Sequence, residues 1–378
     1  MSGRMPSQGS CRVFETGSLG ELQNEYKPRE LRIEVTHDCP LQCLHCSACS
    51  STGDPLLLPP ERVIGVINEF VAMGGEKVVI TGGEPLVYAG LTGVLRSSKD
   101  SGAKPILFTS GITRNGKSCR CISEEEMMRL KPLLSRIVFS VYSASKEKHE
   151  QITQVDNSFA MTLDAVRTAV SHGIPTDIHF VPMKINCEDL LGVSDIGYSL
   201  GVQIIRVLRF VPHGRAEDYV EDLLPSVEDY RAFAQVVKIA RSQYPDFIHV
   251  GAAFDGLVPN VSKTCSAAVG KIVVTADGFV APCDGFKNFD NPGNPWNIKL
   301  KSLWDIYANS PLLRRVRAVK NCQGIDKPIV KTSTNWSGCM AQKSLASGYV
   351  TKTEPDPCSS VDSLYLSSYT VTRKTLTI

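Results

Sequence analysis

Long apolar runs and an excess of charge of one sign are both missing from this chain. No uninterrupted apolar segment approaches the roughly 18 residues of a membrane span, and residues 1–20 have no apolar core of the kind that a secretory signal requires. Lysine plus arginine number 41 against 39 for aspartate plus glutamate, so no broad field attracts nucleic acid or an anionic membrane. We expect a soluble, cytoplasmic protein with no nucleic-acid or membrane partner.

Cysteine, by contrast, is abundant and unevenly distributed. The 378 residues include 13 cysteines, and the cytosol keeps thiols reduced, which favours metal ligation over disulfides. One group lies near the start and another in the last third: Cys39, Cys43, Cys46 and Cys49, then Cys265, Cys283, Cys322, Cys339 and Cys358. This distribution predicts two separate metal regions.

The tightest group is the stretch Cys39-Pro-Leu-Gln-Cys43-Leu-His-Cys46. Three thiolates from one short loop can hold three irons of a four-iron cluster and leave the fourth iron without a protein ligand. Such a vacant position is where a substrate or cofactor binds. Zinc is the alternative, and it would need a fourth ligand, for which His45 and Cys49 are available.

Short β-rich runs alternate with amphipathic stretches from residue 31 to about residue 214. This order is typical of a parallel sheet with right-handed crossovers, and six such units predict an open or partial α/β barrel. The predicted strands are 31–35, 77–81, 106–109, 136–142, 176–181 and 203–210. The predicted helices between them are 60–73, 86–101, 123–130, 158–171 and 186–200.

Two motifs follow the first two predicted strands. In a β/α barrel the working residues lie on loops at the C-terminal ends of the strands. The three cysteines follow the first strand, and Gly82-Gly83-Glu84-Pro85 follows the second. Tandem glycines allow a bulky ligand to approach the backbone closely, and Glu84 adds a fixed carboxylate. We therefore expect both motifs to form one site.

Together these motifs resemble the radical S-adenosylmethionine (SAM) superfamily, whose fold is a partial (β/α)6 barrel. The resemblance covers residues 31–215 and implies that Cys39, Cys43 and Cys46 bind a [4Fe-4S] cluster whose open iron is chelated by SAM. It also implies the activity: reductive cleavage of SAM gives a 5′-deoxyadenosyl radical, which takes a hydrogen atom from the substrate. The electron would come from a donor such as flavodoxin or ferredoxin.

The resemblance further implies a set of SAM contacts. Gly82 and Gly83 would face the methionine part, and Glu84, followed by Pro85, would contact the amino group. His45 stands where the family often has an aromatic residue, which argues against its being a zinc ligand. Later strand ends resemble the positions that contact the ribose and the carboxylate, namely Ser110, Ser140 and Arg209.

The last third begins with a helix predicted at 226–242 and a strand at 247–250. Strands 271–275 and 279–281, joined by Asp277-Gly278, then form a predicted hairpin, because Asp-Gly between β-rich runs is a strong turn signal. Cys265 precedes this hairpin and Cys283 ends it. The hairpin therefore brings two distant thiols together.

This arrangement resembles the auxiliary-cluster region of the SPASM and twitch subfamilies. Ser-Gly-Cys339 and Asp-Pro-Cys358 look like later elements of that region, whereas its compact run of four cysteines is reduced to Cys322 and then Cys339. We predict a SPASM/twitch-like, cysteine-rich extension with at least one auxiliary iron–sulfur cluster, most simply a [4Fe-4S] cluster. Its ligands would be Cys265, Cys283, Cys339 and either Cys322 or Cys358. The alternatives are a second, under-ligated cluster, a zinc ribbon, and thiols with a purely structural role.

The predicted organisation is an N-terminal extension (1–30), a radical SAM partial barrel (31–215), a linker helix with the auxiliary region (216–358) and a polar tail (359–378).

The favoured substrate is a ribosomally made peptide, which would be crosslinked or epimerised. Two alternatives stay open: a twitch-type dehydrogenase or epimerase of an aminosugar or alcohol, and a non-catalytic zinc-binding protein. The resemblance implies that an epimerase of this group would need a thiol that returns hydrogen, and the candidates by position are Cys119, Cys121 and Cys187.

Overall fold

The computed structural model of this chain describes residues 27–116, 118–251, 254, 258, 265–289 and 294–321. Most of the predicted N-terminal extension and the whole polar tail lie outside these residues. So do three of the predicted auxiliary ligands, Cys322, Cys339 and Cys358.

A nine-stranded sheet forms the centre of the described structure. The strands, numbered along the chain, are β1 Glu30–Glu34, β2 Lys77–Thr81, β3 Lys104–Thr109, β4 Ile112–Asn115, β5 Ser118–Cys121, β6 Arg136–Ser140, β7 Thr176–Phe180, β8 Ile204–Val207, β9 Ile248–Val250, β10 Lys271–Val274 and β11 Val280–Ala281. Their order in the main sheet is β11-β10-β1-β2-β3-β6-β7-β8-β9. All neighbours in it are parallel except β10 and β11.

Helices lie between most of the parallel strands along the chain, as the alternating pattern predicts, and within the described residues two further helices follow the last strand. They are α1 Pro60–Ala72, α2 Leu91–Asp100, α3 Glu124–Leu130, α4 Lys146–Thr153, α5 Ser158–Ser171, α6 Leu190–Ser199, α7 Val220–Leu223, α8 Val227–Gln243, α9 Leu303–Asn309 and α10 Pro311–Asn321. The main hydrophobic core contains alternate residues of β1, Leu31 and Ile33, and apolar residues of α1 such as Phe70. Because successive strand residues point to opposite faces, Arg32 and Glu34 lie on the other side of the sheet.

The fold class and the six predicted barrel strands are confirmed, with ends that differ by three residues at most. The helix predicted at 158–171 has the bounds of α5. The helix predicted at 86–101 begins only at Leu91, because Pro85–Val87 forms a separate short turn of 3-10 helix. That turn closes over the backbone next to Glu84, whose side chain accepts a hydrogen bond from Leu86 N–H.

The predicted hairpin of the last third is present, but its position could not be read from the sequence. Strand β10 pairs in parallel with β1, with Leu31 opposite Ile272 and Ile33 opposite Val274. Ile272 is fully buried in the main core. The first strand of the hairpin is therefore part of the barrel sheet.

A second hairpin, β4–β5, was not predicted. It pairs Ile112 with Cys121 and Asn115 with Ser118, directly after the end of β3. Gly116 is the first residue of the turn, a position where glycine is favoured in tight hairpins, and it has a φ of 60°.

Within the described residues, no helix combines the length and the apolar character needed to cross a membrane.

Replacing Ile272 by alanine tests whether β10 is part of the barrel core. Deleting a buried isoleucine side chain leaves a cavity, so we expect a loss of about 2–5 kcal/mol in the free energy of unfolding. Urea unfolding of the metal-free chain, followed by circular dichroism of the helices, measures this loss. Leu300→Ala is the control, because Leu300 is 70% exposed and should change stability by no more than about 0.5 kcal/mol. Equal effects of the two substitutions would contradict the placement.

Candidate active site

The three-cysteine loop leaves the C-terminal end of β1 and is held by distant backbone groups. The N–H groups of Gln42 and Leu44 donate to the carbonyls of Thr153 and Ile152, at 3.1 and 2.9 Å. Those carbonyls belong to the last turn of α4, where helical partners are missing. The backbone N–H groups of the loop and the free carbonyls at the end of the helix thus find hydrogen-bond partners in each other.

The three predicted ligand thiols lie close enough to affect one another. Burial, and then the neighbouring Cys43 and Glu84, raise the pKa of Cys39 well above its ordinary value. Burial and Cys46 raise the pKa of Cys43, against a lowering effect of the Arg215 guanidinium. Among the described residues, no three His, Cys, Asp or Glu side chains are grouped as ligands of a single metal ion.

Gly82 and Gly83 bring the second loop into backbone contact with the first. The N–H of Gly83 donates to the Thr36 carbonyl at 2.6 Å, and the N–H of Glu84 donates to the Asp38 carbonyl at 2.9 Å. A Cβ on Gly82 would lie 2.5 Å from the Thr36 oxygen, and one on Gly83 would lie 2.4 Å from the Asp38 oxygen. Both positions therefore exclude any side chain.

The Glu84 carboxylate is buried beside the cysteines and held by four hydrogen bonds. One oxygen accepts from Thr109 Oγ1 at 2.6 Å and from Leu86 N–H at 3.1 Å. The other accepts from Ser110 N–H at 2.8 Å and Ser110 Oγ at 2.5 Å. Burial raises the pKa of Glu84 despite these donors. An incoming ammonium group would have to share an oxygen or displace one donor.

Ser110 and Ser140, two of the residues predicted to contact the ribose and the carboxylate of SAM, lie at the ends of neighbouring strands. The Ser110 hydroxyl is used by Glu84, and the Ser110 carbonyl accepts from Thr162 Oγ1 at 2.8 Å. Ser140 is half-buried, and its side chain lies beside the Tyr142 hydroxyl. Ser110 is thus placed to orient Glu84, a role that the sequence does not reveal.

Tyr142 links this strand end to the cysteine loop. Its ring stands edge to face with the His45 ring, with centroids 4.4 Å apart. Burial, followed by the neighbouring Cys43, raises the pKa of Tyr142 well above its ordinary value. Burial, followed by His149 and Arg215, lowers the pKa of His45 to about 4. His45 therefore packs as a neutral ring against an aromatic partner.

Comparison with known proteins agrees with this geometry. Residues 33–193 match the family model described as the Radical SAM superfamily. The chain carries a radical SAM domain. The chain is 25% identical over 341 residues to the PqqA peptide cyclase of Methylobacterium sp. (strain 4-46), which covers 87% of this chain and 85% of that protein.

Two further matches extend the radical SAM comparison. The AdoMet-dependent heme synthase of Methanosarcina barkeri (strain Fusaro / DSM 804) is 24% identical over 350 residues, covering 87% of this chain and 95% of that protein. The crystal structure of Streptococcus suis SuiB bound to precursor peptide SuiA superposes with a TM-score of 0.64 at 18% identity, covering 79% of this chain and 68% of that chain. Because its sequence identity is only 18%, the match to SuiB shows a shared fold and no more.

The residues of the radical SAM domain fit the cofactors of its superfamily. Three thiols on one loop supply the donors that an iron–sulfur cluster takes, and Cys39 is only 8% exposed. Glu84 lies within electrostatic reach of Cys39 and Cys43. Pro85 begins the turn that fixes the backbone after this carboxylate. These residues could hold a cluster together with the amino acid part of SAM.

Arg209 is placed differently from the other predicted contacts. Its guanidinium carbon lies 4.8 Å from the ring centroid of Tyr230 and 6.0 Å from that of Phe254. Both rings belong to the main core beside α8. Cation–π packing of this kind fixes the side chain against the barrel wall.

Arg215 is a site residue that sequence reasoning did not assign. Its guanidinium donates to the carbonyls of Cys43 at 2.9 Å and Ser50 at 2.5 Å, and its backbone N–H donates to the Cys46 carbonyl at 3.0 Å. The only available signal was the Gly214-Arg215 pair shortly after the end of the last predicted barrel strand.

The three candidate thiols for hydrogen return are now distinguished by position. Cys119, on the β4–β5 hairpin, points at the cysteine loop, with its sulfur 3.7 Å from the Pro40 carbonyl oxygen. On the same hairpin, Arg114 pairs with Asp38 of that loop. Cys121 hydrogen-bonds the adjacent Ile122 carbonyl, and Cys187 is buried in the main core. Of the three, Cys119 is the one next to the cysteine loop.

The start of the predicted auxiliary region packs against the barrel. Cys265 and Cys283, at the two ends of the β10–β11 hairpin, are half-buried against the main core. Directly after Cys283, Asp284 pairs with Arg32 of β1 at 2.9 Å, and Lys287 pairs with Glu34. The remaining predicted ligands lie outside the described residues.

Paired substitutions test whether Ser110 acts through Glu84. Ser110→Ala and Thr109→Val each remove one hydroxyl donor from a different oxygen of the same carboxylate. Because hydrogen bonds to charged groups contribute about 1.5–3 kcal/mol, we expect each variant to weaken SAM binding by about tenfold or more. Equilibrium dialysis of the reconstituted enzyme with labelled SAM measures this. A loss in Ser110→Ala with wild-type binding in Thr109→Val would instead indicate direct contact between Ser110 and SAM.

Proposed function

We propose that this radical SAM enzyme carries a [4Fe-4S] cluster on Cys39, Cys43 and Cys46, cleaves SAM reductively and modifies a ribosomally made peptide. The observation that carries the proposal is the placement of three thiols on one loop, with Cys39 buried and Cys43 and Cys46 half-buried, beside the fixed carboxylate of Glu84. Both groups stand at the C-terminal ends of neighbouring parallel strands, where β/α barrels place their chemistry.

The chain's own residues would bind, orient and shield the reacting groups. When bound, the cluster and SAM supply a 5′-deoxyadenosyl radical that removes a hydrogen atom from an unactivated carbon. Glu84 is held ready for the SAM ammonium group, since Thr109 and Ser110 fix its orientation. The cysteine loop is closed by α4 and by Arg215, and burial of this kind keeps water from a reactive species.

A peptide substrate is favoured by two of the proteins that resemble most of the chain. PqqA peptide cyclase and SuiB, which was crystallised with its precursor peptide SuiA, are both similar to more than three quarters of it. We therefore propose crosslinking or epimerisation of a peptide. If epimerisation is the reaction, the position of Cys119 beside the cysteine loop supports it as the thiol that returns hydrogen.

We further propose one auxiliary iron–sulfur cluster, held by Cys265, Cys283, Cys339 and either Cys322 or Cys358. Its support is the hairpin that carries Cys265 and Cys283 at its two ends. The enzyme would take its electron from a flavodoxin or ferredoxin and work in the cytoplasm. Cys39, Cys43 and Cys46 are free thiols, which leaves them available as ligands of the cluster proposed for the three-cysteine loop.

Formation of 5′-deoxyadenosine tests the proposed cleavage. After anaerobic reconstitution and reduction, we expect the wild-type enzyme to convert SAM to 5′-deoxyadenosine. The combined variant Cys39→Ala, Cys43→Ala, Cys46→Ala should form none, because the open iron is lost with its ligands. Chromatography of the quenched reaction measures the product. Cleavage retained by the combined variant would overturn the assignment, and bound zinc without product in wild type would favour the zinc-binding alternative.

Iron analysis tests the auxiliary cluster separately. Two four-iron clusters predict about eight irons per chain in wild type, and about four in either the three-cysteine variant above or the variant Cys265→Ala, Cys283→Ala. Iron and sulfide are assayed together with zinc after reconstitution. A wild-type content of about four irons, unchanged in Cys265→Ala, Cys283→Ala, would remove the auxiliary cluster from the proposal.

A further inference from the structure

The segment that follows β8 returns to the cysteine loop and contacts it at three carbonyl groups. The Arg215 guanidinium donates to the carbonyls of Cys43 and Ser50, and the Arg215 backbone N–H donates to the Cys46 carbonyl. These acceptors begin and end a stretch of eight residues, 43–50, in which no helix or strand is formed. A single side chain therefore ties the two ends of that stretch together.

Gly214 makes this close approach possible. It has a φ of 59°, in the left-handed region that favours glycine. A Cβ here would lie 2.7 Å from the Ser47 oxygen and 2.8 Å from the Cys46 oxygen. The backbone of 214–215 is thus pressed against the backbone that carries the third cysteine.

The Arg215 charge also lies beside a predicted ligand. Its guanidinium donates a hydrogen bond to the Cys43 carbonyl. Burial raises the pKa of the Cys43 thiol, and the Arg215 charge lowers it. Guanidinium is planar, permanently charged and able to bond two acceptors at once, whereas a lysine ammonium offers the charge without the fork. Groups that hold metal ligands in place tune both the affinity and the potential of the metal site.

We propose that Arg215 is a positioning residue for the cluster of the radical SAM domain: its fork fixes the shape of the three-cysteine loop, and its charge favours the reduced cluster. This inference rests on the proposed function, because it assumes a cluster on Cys39, Cys43 and Cys46. Arg215 acts through the loop and contacts no reacting atom.

Two substitutions separate the fork from the charge. Arg215→Lys keeps the charge, and Arg215→Gln removes it. We expect both variants to lose iron from the SAM-responsive cluster to a chelator about tenfold faster than wild type. The reason is that removing a group that holds a metal ligand in place typically weakens metal binding by at least about tenfold. The decay of the EPR signal that changes on addition of SAM measures this loss. A redox titration of the same signal should show a more negative potential for Arg215→Gln and a wild-type potential for Arg215→Lys.

Arg62 provides a matched control. It too donates to two backbone carbonyls, those of Ile298 and Lys301, but it lies on α1 and contacts a different segment. Arg62→Lys and Arg62→Gln should lower the melting temperature without changing the potential or the rate of iron loss from the SAM-responsive cluster. Equal acceleration by the Arg62 and Arg215 variants, or wild-type behaviour of both Arg215 variants, would overturn the proposal.

Hydrogen exchange of the metal-free chain distinguishes failure of this inference from failure of the proposed function. In the absence of iron, backbone amides of residues 39–51 should exchange faster in both Arg215 variants than in wild type and the Arg62 variants. If wild type shows no SAM-responsive cluster, the proposed function and the role of Arg215 toward a cluster both fail. Unchanged exchange together with a functioning wild-type cluster would refute the positioning role alone.

Discussion

The three-cysteine loop has to keep its shape without the hydrogen bonds of a helix or strand. Buried backbone groups need partners, and here they come from residues far away in the sequence: the end of α4, the Gly82-Gly83 turn and Arg215. The parallel sheet brings these segments to one face, because the C-terminal ends of its strands meet there. The geometry of the loop therefore depends on the whole barrel.

Buried ion pairs set the position of the segment that follows Cys283. Burial alone would lower the pKa of Lys287, but Glu34 and Asp284 raise it, so the ammonium stays charged. Buried pairs add little net stability, since desolvation costs about as much as the attraction gains, yet removing one partner is strongly unfavourable. The pairs Lys287 with Glu34 and Asp284 with Arg32 thus favour one placement of this segment on β1.

Much of the barrel could be predicted because its signals are local. Strand and helix periods, and the turn glycines, depend on neighbours in the sequence, and even the unpredicted β4–β5 hairpin has a glycine, Gly116, at the start of its turn. The pairing of β10 with β1 could not be predicted, since it joins residues about 240 positions apart. The direction of a side chain is likewise set by packing, as Ser110 toward Glu84 and Arg209 over Tyr230 show. The domain bounds and the fourth auxiliary ligand stay predictions.

The two predicted metal sites share one short packed connection. His213 Nε2 lies 3.2 Å from the Gly285 carbonyl oxygen, two residues after Cys283, while the next two residues, Gly214 and Arg215, hold the cysteine loop. A side chain at position 214 would clash with the Ser47 and Cys46 carbonyls, so only glycine lets residues 213–215 contact both segments this closely. Packed groups of this kind transmit strain instead of yielding continuously. The proposed auxiliary site and the loop that carries Cys39, Cys43 and Cys46 would therefore lie at the two ends of one packed series of contacts.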